Sequence, residues 1–407
     1  MSKDCTIQDV FHRFYPSFES THSISPAQRK AAYHIMNCKT GAFGVNVSVC
    51  EDCGCISVHY NSCRDRCCPM CQEFPKEKWV DARREDILDA PYFHVVFTVP
   101  EELNPIIYSN QKFLYTALYH AASDTLSELA ADSKYLGTDI GYICILHTWG
   151  STMNFHPHIH AIVLGGGLDV KNHWKDNGKE FFLPIKVISK IFRGKYMAEL
   201  KQLWENDRLE FHGSAAHYKN YYTFKELLNT CYAKEWIPYC KKPFDGAESV
   251  IRYLGKYTHR IAISNYRIKD MTESTVTFSA KDYKNQGLWK EITISGEEFI
   301  RRFLMHVPPK RFVRIRHYGL LSSRNKNTKI TICRNILGCQ KYISRLKDID
   351  TPAMHHPKEK VSVTSSNGCR QRASRNRSTD PTTEKDSFNI ENNTAGQYIC
   401  LVGLHTF

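Results

Sequence analysis

The 407-residue sequence contains no apolar run approaching the roughly 20 residues that cross a bilayer as a helix. Its start, Met1-Ser2-Lys3-Asp4-Cys5-Thr6, lacks the basic opening and apolar stretch of a secretion signal. No segment repeats. Large apolar residues become scarce after about Asp350, where Ser, Thr, Asn and charge dominate. Such a stretch cannot bury enough surface to offset the entropy of ordering. These absences exclude a helical membrane protein, argue against a secreted one and against a repeat array, and predict a cytosolic protein of a bacterial or archaeal cell with a disordered tail over 346–407. Negative charge is also in deficit: 42 acidic residues face 55 Lys and Arg, a formal net charge of +13. An excess of that sign suits a polyanionic partner, although solvated basic faces alone produce the same count.

Hydrophobic residues make up 42% of the chain and aromatics 12%, as in a globular protein, and the length predicts two or three domains. Sixteen cysteines are unevenly spread, with seven between Cys50 and Cys71. In a reducing compartment that density reads as metal ligation rather than disulfides. Cys50-x2-Cys53 and Cys68-x2-Cys71 form two C-x2-C pairs, each able to turn two thiolates toward one ion. Together they complete a tetrahedron that suits zinc. Cys63 and Cys67 are possible additional ligands, with Cys38 as a partner in a second site. Buried free thiols are the alternative.

Residues 1–75 therefore read as a cysteine-rich zinc-binding unit, containing a helix capped by Ser25 with Pro26 in its first turn. A helical pattern over Lys76–Asp89 predicts a linker helix, 76–90. Strands are expected at Tyr92–Val99, Gly141–Trp149 and His156–Leu164, and helices at about 105–131, 185–206 and 246–258. Short strands at Thr275–Ser279 and Lys290–Ser295 precede a helix at Gly296–Leu304. The short connection around Gly150–Asn154 predicts an antiparallel hairpin. With its centre near Thr152 and Met153, His147 sits across from His158.

Two features carry chemistry. His156, His158 and His160 alternate, so a strand puts all three imidazoles on one face. Imidazoles buried together need a shared metal or an acidic partner. His158 and His160 are the primary candidates, with His147 the first choice of third ligand and His156 the second. Imidazole accepts zinc, manganese, iron or nickel; phosphoryl chemistry favours magnesium or manganese. Tyr253 and Tyr257 lie four apart, on one face of a helix, amid Arg252, Lys256, His259 and Arg260. Phenol beside a metal is a plausible nucleophile for phosphodiesters, provided nearby cations lower its pKa from about 10. Paired tyrosines at this spacing also serve as plain packing residues.

Several runs, taken in order, resemble the HUH (histidine, hydrophobic, histidine) rolling-circle transposases of the insertion-sequence-ninety-one type. They are Asn61-Ser62-Cys63-Arg64 with Cys68-Pro69-Met70-Cys71, His94–Pro100, His147-Thr148-Trp149-Gly150, His156–His160 with Gly165-Gly166-Gly167-Leu168, Tyr253–Asn265, Arg301–Leu304 and Arg314–Gly319. The similarity covers roughly residues 25–340. It departs at Asn46 and Cys67, where the family usually has histidine.

The resemblance implies an α+β fold: an N-terminal zinc-binding domain, then a Rep-like HUH endonuclease domain with a central antiparallel sheet, expected at 91–265 with a basic extension at 266–345. It implies metal-dependent nicking and rejoining of single-stranded DNA at the ends of a mobile element, through a 5′-phosphotyrosine intermediate. Those roles fall on His158 and His160 for the catalytic metal, magnesium or manganese, and on Tyr253 and Tyr257 as nucleophiles. Lys256, Arg260, Arg301, Arg302, Arg314 and Arg316 are candidate DNA contacts. A DNA-binding remnant without catalysis and a metal-dependent phosphodiesterase using water remain as rivals.

Overall fold

The computed structural model describes residues 5–349, apart from 51–52, 179–182, 237, 242–243, 245, 258–261, 283–286 and 348. The tail expected to be disordered lies outside the described residues from 350 onward. The chain divides into two compact units. The larger comprises Met1–Asn46 and His59–His356, and the described part of the smaller is Val47–Val58.

The N-terminus opens with helix α1 (Ile7–Thr21), capped reciprocally by Thr6 and Asp9. Helix α2 (Pro26–Asn37) carries the expected Ser25 cap, which Gln28 completes into a capping box, with Pro26 in the first turn. Strands β1 (Val45–Val49) and β2 (Ile56–Tyr60) form a two-stranded ribbon. Helix α3 (Glu73–Arg84) leads to strand β3 (Tyr92–Thr98). The helix expected over 105–131 is two helices, α4 (Asn104–Ser109) and α5 (Gln111–Ala131). They break at Asn110, whose φ of −125° and ψ of 38° leave the helical region while its side chain bonds the carbonyls of Ile106 and Glu210.

Strands β4 (Asp139–Trp149) and β5 (Phe155–Leu168) are the expected hairpin, followed by β6 (Trp174–Asp176), α6 (Ile185–Glu205), α7 (Tyr221–Ala233), β7 (Tyr239–Lys241) and α8 (Gly246–Tyr257). The remainder is β8 (Ile268–Met271), β9 (Thr275–Asp282), β10 (Leu288–Ser295), α9 (Gly296–Leu304), β11 (Ile315–Gly319) and α10 (Lys329–Leu337). The central sheet runs β11-β4-β5-β3-β7, with β6 added beside β5, and its pairings are antiparallel. This is the α+β architecture with a central antiparallel sheet. Among the described residues no helix is long and apolar enough to cross a membrane.

Alternation along β5 gives the sheet two faces. Ile159, Ala161 and Val163 join Val95, Phe97, Cys144 and Leu146 in a core that includes Leu118 and Ala122 of α5 and Phe192 and Tyr196 of α6. Ile162 and Leu164 face the other way, with Ile143, Ile145 and Val250 and Leu254 of α8. Helix α8 therefore lies on the face that carries the histidines. Strand β5 runs on through Gly165-Gly166-Gly167 because glycine is needed there: a Cβ on Gly167 would strike the Asp139 carbonyl, and one on Gly165 would lie 2.9 Å from the Pro91 oxygen.

A second core unites α1, α2 and α9 with the three-stranded sheet β10-β9-β8. Phe11 meets Phe303 edge-on at 5.1 Å. The same core takes in Cys38, Cys67 and Cys68 and, from the β4–β5 hairpin, Trp149 and Met153. The cysteine-rich segment and the turn of the histidine hairpin thus share one packed interior.

Candidate active site and metal centres

Strand register assembles the histidine site. His147 pairs with His158 across β4 and β5, the register that a turn centred near Thr152–Met153 requires. Directly opposed residues share a face, so His147 joins His158 and His160. Their ligating nitrogens all lie within 4.8 Å of one another, and all three residues are buried. The His158 and His160 Nε2 atoms are 3.0 Å apart. His156 does not belong to this group. Its ring centroid is 5.0 Å from that of His158, and its carbonyl oxygen lies 2.7 Å from His158 Nδ1. The third imidazole thus comes from the neighbouring strand.

Burial pushes the His158 imidazole down to about 3 and holds His160 well below the usual histidine range. Both are neutral at physiological pH, which is the form that offers a lone pair to a metal.

Strand β3 adds a fourth imidazole. Val96 pairs with His160 and Thr98 with His158, so His94, two residues before Val96, stands on the histidine face. Its Nε2 is 2.8 Å from His160 Nδ1. The sequence expectations assign His94 no role; the period-2 alternation from His94 to Val96 and Thr98 is the signal that points to it.

Helix α8 brings in the tyrosine. Val250 and Leu254 bury its inner face, and Tyr253 packs beside them. The Tyr253 hydroxyl lies 2.7 Å from His94 Nε2 and 3.1 Å from His160 Nδ1. The Tyr253 phenol and His94 therefore stand beside the histidine triad, joining residues 93 and 159 apart in sequence. Tyr257 occupies the last position of α8. Its side chain, that of Lys256, and all of Arg260 lie outside the described residues.

The hairpin turn that presents this site is braced. Met153 adopts a φ of +59° while fully buried, a left-handed conformation unusual for a side chain of its size. His306 lies 3.0 Å from the Met153 carbonyl and 3.1 Å from Thr148 Oγ1. Burial pushes the His306 imidazole down to about 4. Arg302 donates to the Thr152 carbonyl and Arg267 to that of Ser151.

The described arginines among the expected DNA contacts, Arg301, Arg302, Arg314 and Arg316, are engaged within the chain. Arg301 and Arg302 both bond Glu298, holding its carboxyl down at about 2. Arg314 lies half-buried, its guanidinium 5.5 Å from the Trp149 ring, and Trp149 stacks on His147. Arg316 covers the Tyr119 ring at 4.1 Å.

A second ligand group is made of thiols. Cys38, Cys63, Cys68 and Cys71 bring their Sγ atoms within 4.8 Å of one another, with Cys63 and Cys71 only 3.7 Å apart. A zinc tetrahedron with Zn–S bonds of about 2.3 Å has sulfur–sulfur edges of about 3.8 Å. Hydrogen bonding among the four pushes the Cys63 and Cys68 thiols up and the Cys38 and Cys71 thiols down. Four thiols so close can ionise together only around a cation.

This group departs from the spacing argument, which had set Cys50 and Cys53 with Cys68 and Cys71. Within the larger unit the Asn61 carbonyl accepts from the Lys39 amide and the Asn61 amide donates to the Gly44 carbonyl, which brings Cys63 back to Cys38 at the end of α2. The Cys63 amide then lies 3.5 Å from Cys38 Sγ. Cys50 and Cys53 stand at the ribbon's turn, where the Cys50 and Gly54 amides bond the carbonyls of Cys55 and Cys50. Cys67 faces the core, and burial pushes its thiol up to about 12, so it is a protonated packing residue.

Two family models match the chain in order: "Transposase zinc-binding domain" over residues 10–99 and "Putative transposase" over residues 141–329. Among curated proteins, "Putative transposase y4qJ" of Sinorhizobium fredii is 40% identical over 334 residues, 82% of this chain and 84% of the relative. "Transposase for insertion sequence element IS801" of Pseudomonas savastanoi pv. phaseolicola is 28% identical over 296 residues, 71% of this chain and 69% of the relative. No solved structure gives a significant match. With a relative this similar along most of both lengths and a zinc-binding domain ahead of the catalytic one, the chain belongs to the insertion-sequence-ninety-one type of transposases.

Proposed function

We propose that this transposase nicks and rejoins single-stranded DNA at the ends of a mobile element, with Tyr253 as nucleophile, in the manner of an HUH endonuclease. The supporting observation is the Tyr253 hydroxyl, 3.1 Å from His160 Nδ1 of a buried triad that has two of its Nε2 atoms 3.0 Å apart.

The triad fits a divalent ion: three neutral imidazoles converge and supply no charge of their own. An all-nitrogen donor set suits manganese better than magnesium, which prefers oxygen. Held by His147, His158 and His160, such an ion would supply positive charge against a non-bridging oxygen of the scissile phosphate.

The chain's own groups handle the nucleophile. With Nε2 of His160 turned toward the ligand site, its Nδ1 carries the proton. That N–H donates to the Tyr253 oxygen, and the phenol O–H donates to His94 Nε2, at 2.7 Å. His94 orients the phenol and accepts its proton as the oxygen attacks. A bond forms between the Tyr253 oxygen and phosphorus. The P–O3′ bond breaks, and the 3′-oxygen leaves with its electron pair and takes up a proton from solvent. The product is a 5′-phosphotyrosine and a free 3′-hydroxyl. The ester keeps the bond energy, so rejoining by a 3′-hydroxyl requires no ATP. Tyr257, one helical turn on, would serve as the second nucleophile for the other end.

The four thiols of Cys38, Cys63, Cys68 and Cys71 are proposed as the structural zinc ligands. Closed sulfur coordination does no chemistry, but it secures a segment whose core includes the hairpin turn at Met153. The setting would be the bacterial cytoplasm, at the element's DNA.

The test is incubation with labelled single-stranded DNA and manganese, followed by denaturing electrophoresis. A covalent adduct lost in Tyr253→Phe supports the reading. Released fragments without adduct would indicate water as nucleophile, and binding without cleavage a non-catalytic protein.

A further inference from the structure

A cleft of about 980 Å³ opens between α2, the segment Asp65–Cys67, the α4–α5 junction and the turn 307–311. All of it belongs to the larger unit. Its volume is at the upper end of small-molecule sites. We propose that this cleft binds a segment of single-stranded DNA adjoining the scissile phosphate, with the backbone on Lys30, Lys112, Lys310 and Arg311 and a base against Tyr108. The inference rests on the strand-transfer reading above.

Charge is the first argument. Five cations line the cleft against two carboxylates, Asp65, which lies 3.0 Å from His34, and Glu210, which lies 3.1 Å from His212, so positive charge is in excess. Of the cations, Arg66 is committed to the Pro309 and Phe312 carbonyls. Lys30, Lys112, Lys310 and Arg311 make no ion pair among the described residues. Four cations left over around a cavity favour a polyanion.

Backbone geometry is the second. Pro308-Pro309-Lys310-Arg311 is a stiff turn closed by the Phe312 amide on the Pro309 carbonyl, and Arg311 sits at a φ of +61°. A left-handed arginine is costly, and the turn sets the direction in which the side chain leaves the backbone. Across the cleft, no side chain caps α5, because Asn110 bonds Glu210 and Ile106 instead. The first-turn amides of a 21-residue helix thus add positive potential beside Lys112.

Position is the third. Tyr108 is 41% exposed, a stacking platform of the kind single strands use. Its other side meets Phe155 edge-on at 5.4 Å. Phe155 opens β5 three residues, or about 10 Å of strand, before His158. Tyr108 thus joins the cleft to the start of the strand that carries His158.

The test uses the full chain with Tyr253→Phe and Tyr257→Phe, which separates binding from chemistry. Anisotropy of a labelled single-stranded oligonucleotide from an element end is titrated at several salt concentrations. Replacing Lys30, Lys112 and Lys310 together by Ala is expected to flatten the slope of log K against log salt by about 2 and to weaken binding at least tenfold. The same three positions as Arg should restore the slope, which excludes misfolding. Unchanged slope and affinity in the Ala variant overturn the proposal, as does a loss seen only with duplex DNA. Absence of an adduct in the unmodified chain, with the salt effect intact, would sink the strand-transfer reading and leave the cleft as a DNA site.

Discussion

Substituting single cysteines decides which thiols hold zinc. Sequence spacing and three-dimensional grouping share Cys68 and Cys71 but disagree on the other two. The structure nominates Cys38 and Cys63, buried or half-buried and within 4.8 Å of the shared pair. Structural zinc contributes on the order of 10–16 kcal/mol of apparent binding free energy. Divided among four ligands, loss of one costs about 3 kcal/mol, or roughly a hundredfold in zinc affinity at about 1.4 kcal/mol per decade. Competition against a chromogenic chelator reads that change directly. Cys38→Ser and Cys63→Ser are expected to lose zinc at chelator concentrations the unmodified chain withstands, and Cys50→Ser and Cys53→Ser to match it for this tightly held ion. Because Cys38 and Cys68 pack in the same core as Met153 and Trp149, the two zinc-weakened variants should also show faster hydrogen exchange across 147–160. The reverse pattern, with zinc weakened by Cys50→Ser and Cys53→Ser but untouched by Cys38→Ser, would refute the grouping and restore the spacing argument.

Three further outcomes follow from the geometry. His94→Ala should slow adduct formation about a hundredfold or more while oligonucleotide affinity stays constant, since it removes the phenol's partner and not a DNA contact. His306 has its pKa depressed from 6.5 to about 4, so between those values the unfolded chain binds a proton that the native chain refuses. Its contribution is present above pH 6.5 and is lost as pH falls, about 2 kcal/mol by pH 5. Urea unfolding should show His306→Gln less acid-sensitive than the parent by about that amount. Gly319 sits at a φ of +57° with its Cβ position against the Ile140 carbonyl. Gly319→Ala should therefore cost about 3 kcal/mol from strain and overpacking, lowering the melting temperature without altering metal content.

Much of the fold was legible where one strong local signal governed. The β4–β5 hairpin followed from alternation and a turn signal, and its register followed from the turn centre. The start of α2 followed from Ser25, Pro26 and Gln28. Local pattern failed where tertiary partners decide. Asn110 breaks an otherwise continuous helical pattern because its side chain is recruited by Glu210, a hundred residues away. Helix α1, whose buried face is held by α9 and the three-stranded sheet, was not anticipated.

The site divides in the same way. His147, His158 and His160 were readable because β-strand pairing obeys a period of two. His94 acquires meaning only when β3 is known to flank β5 opposite β4. Spacing and structure group the thiols differently because C-x2-C spacing identifies pairs but not which pairs share an ion. Arg302 was expected to contact DNA, and its hydrogen bond to the Thr152 carbonyl shows it bracing the hairpin turn.

Mass spectrometry of the trapped protein–DNA adduct bears most directly on the central claim, that a phenol held by His94 and His160 attacks the phosphodiester. After incubation with an element-end oligonucleotide and manganese, then nuclease and protease digestion, a 5′-linked nucleotide is expected on the peptide containing Tyr253. Cleaved DNA with no modified peptide, or a nucleotide still attached in Tyr253→Phe/Tyr257→Phe, would contradict it.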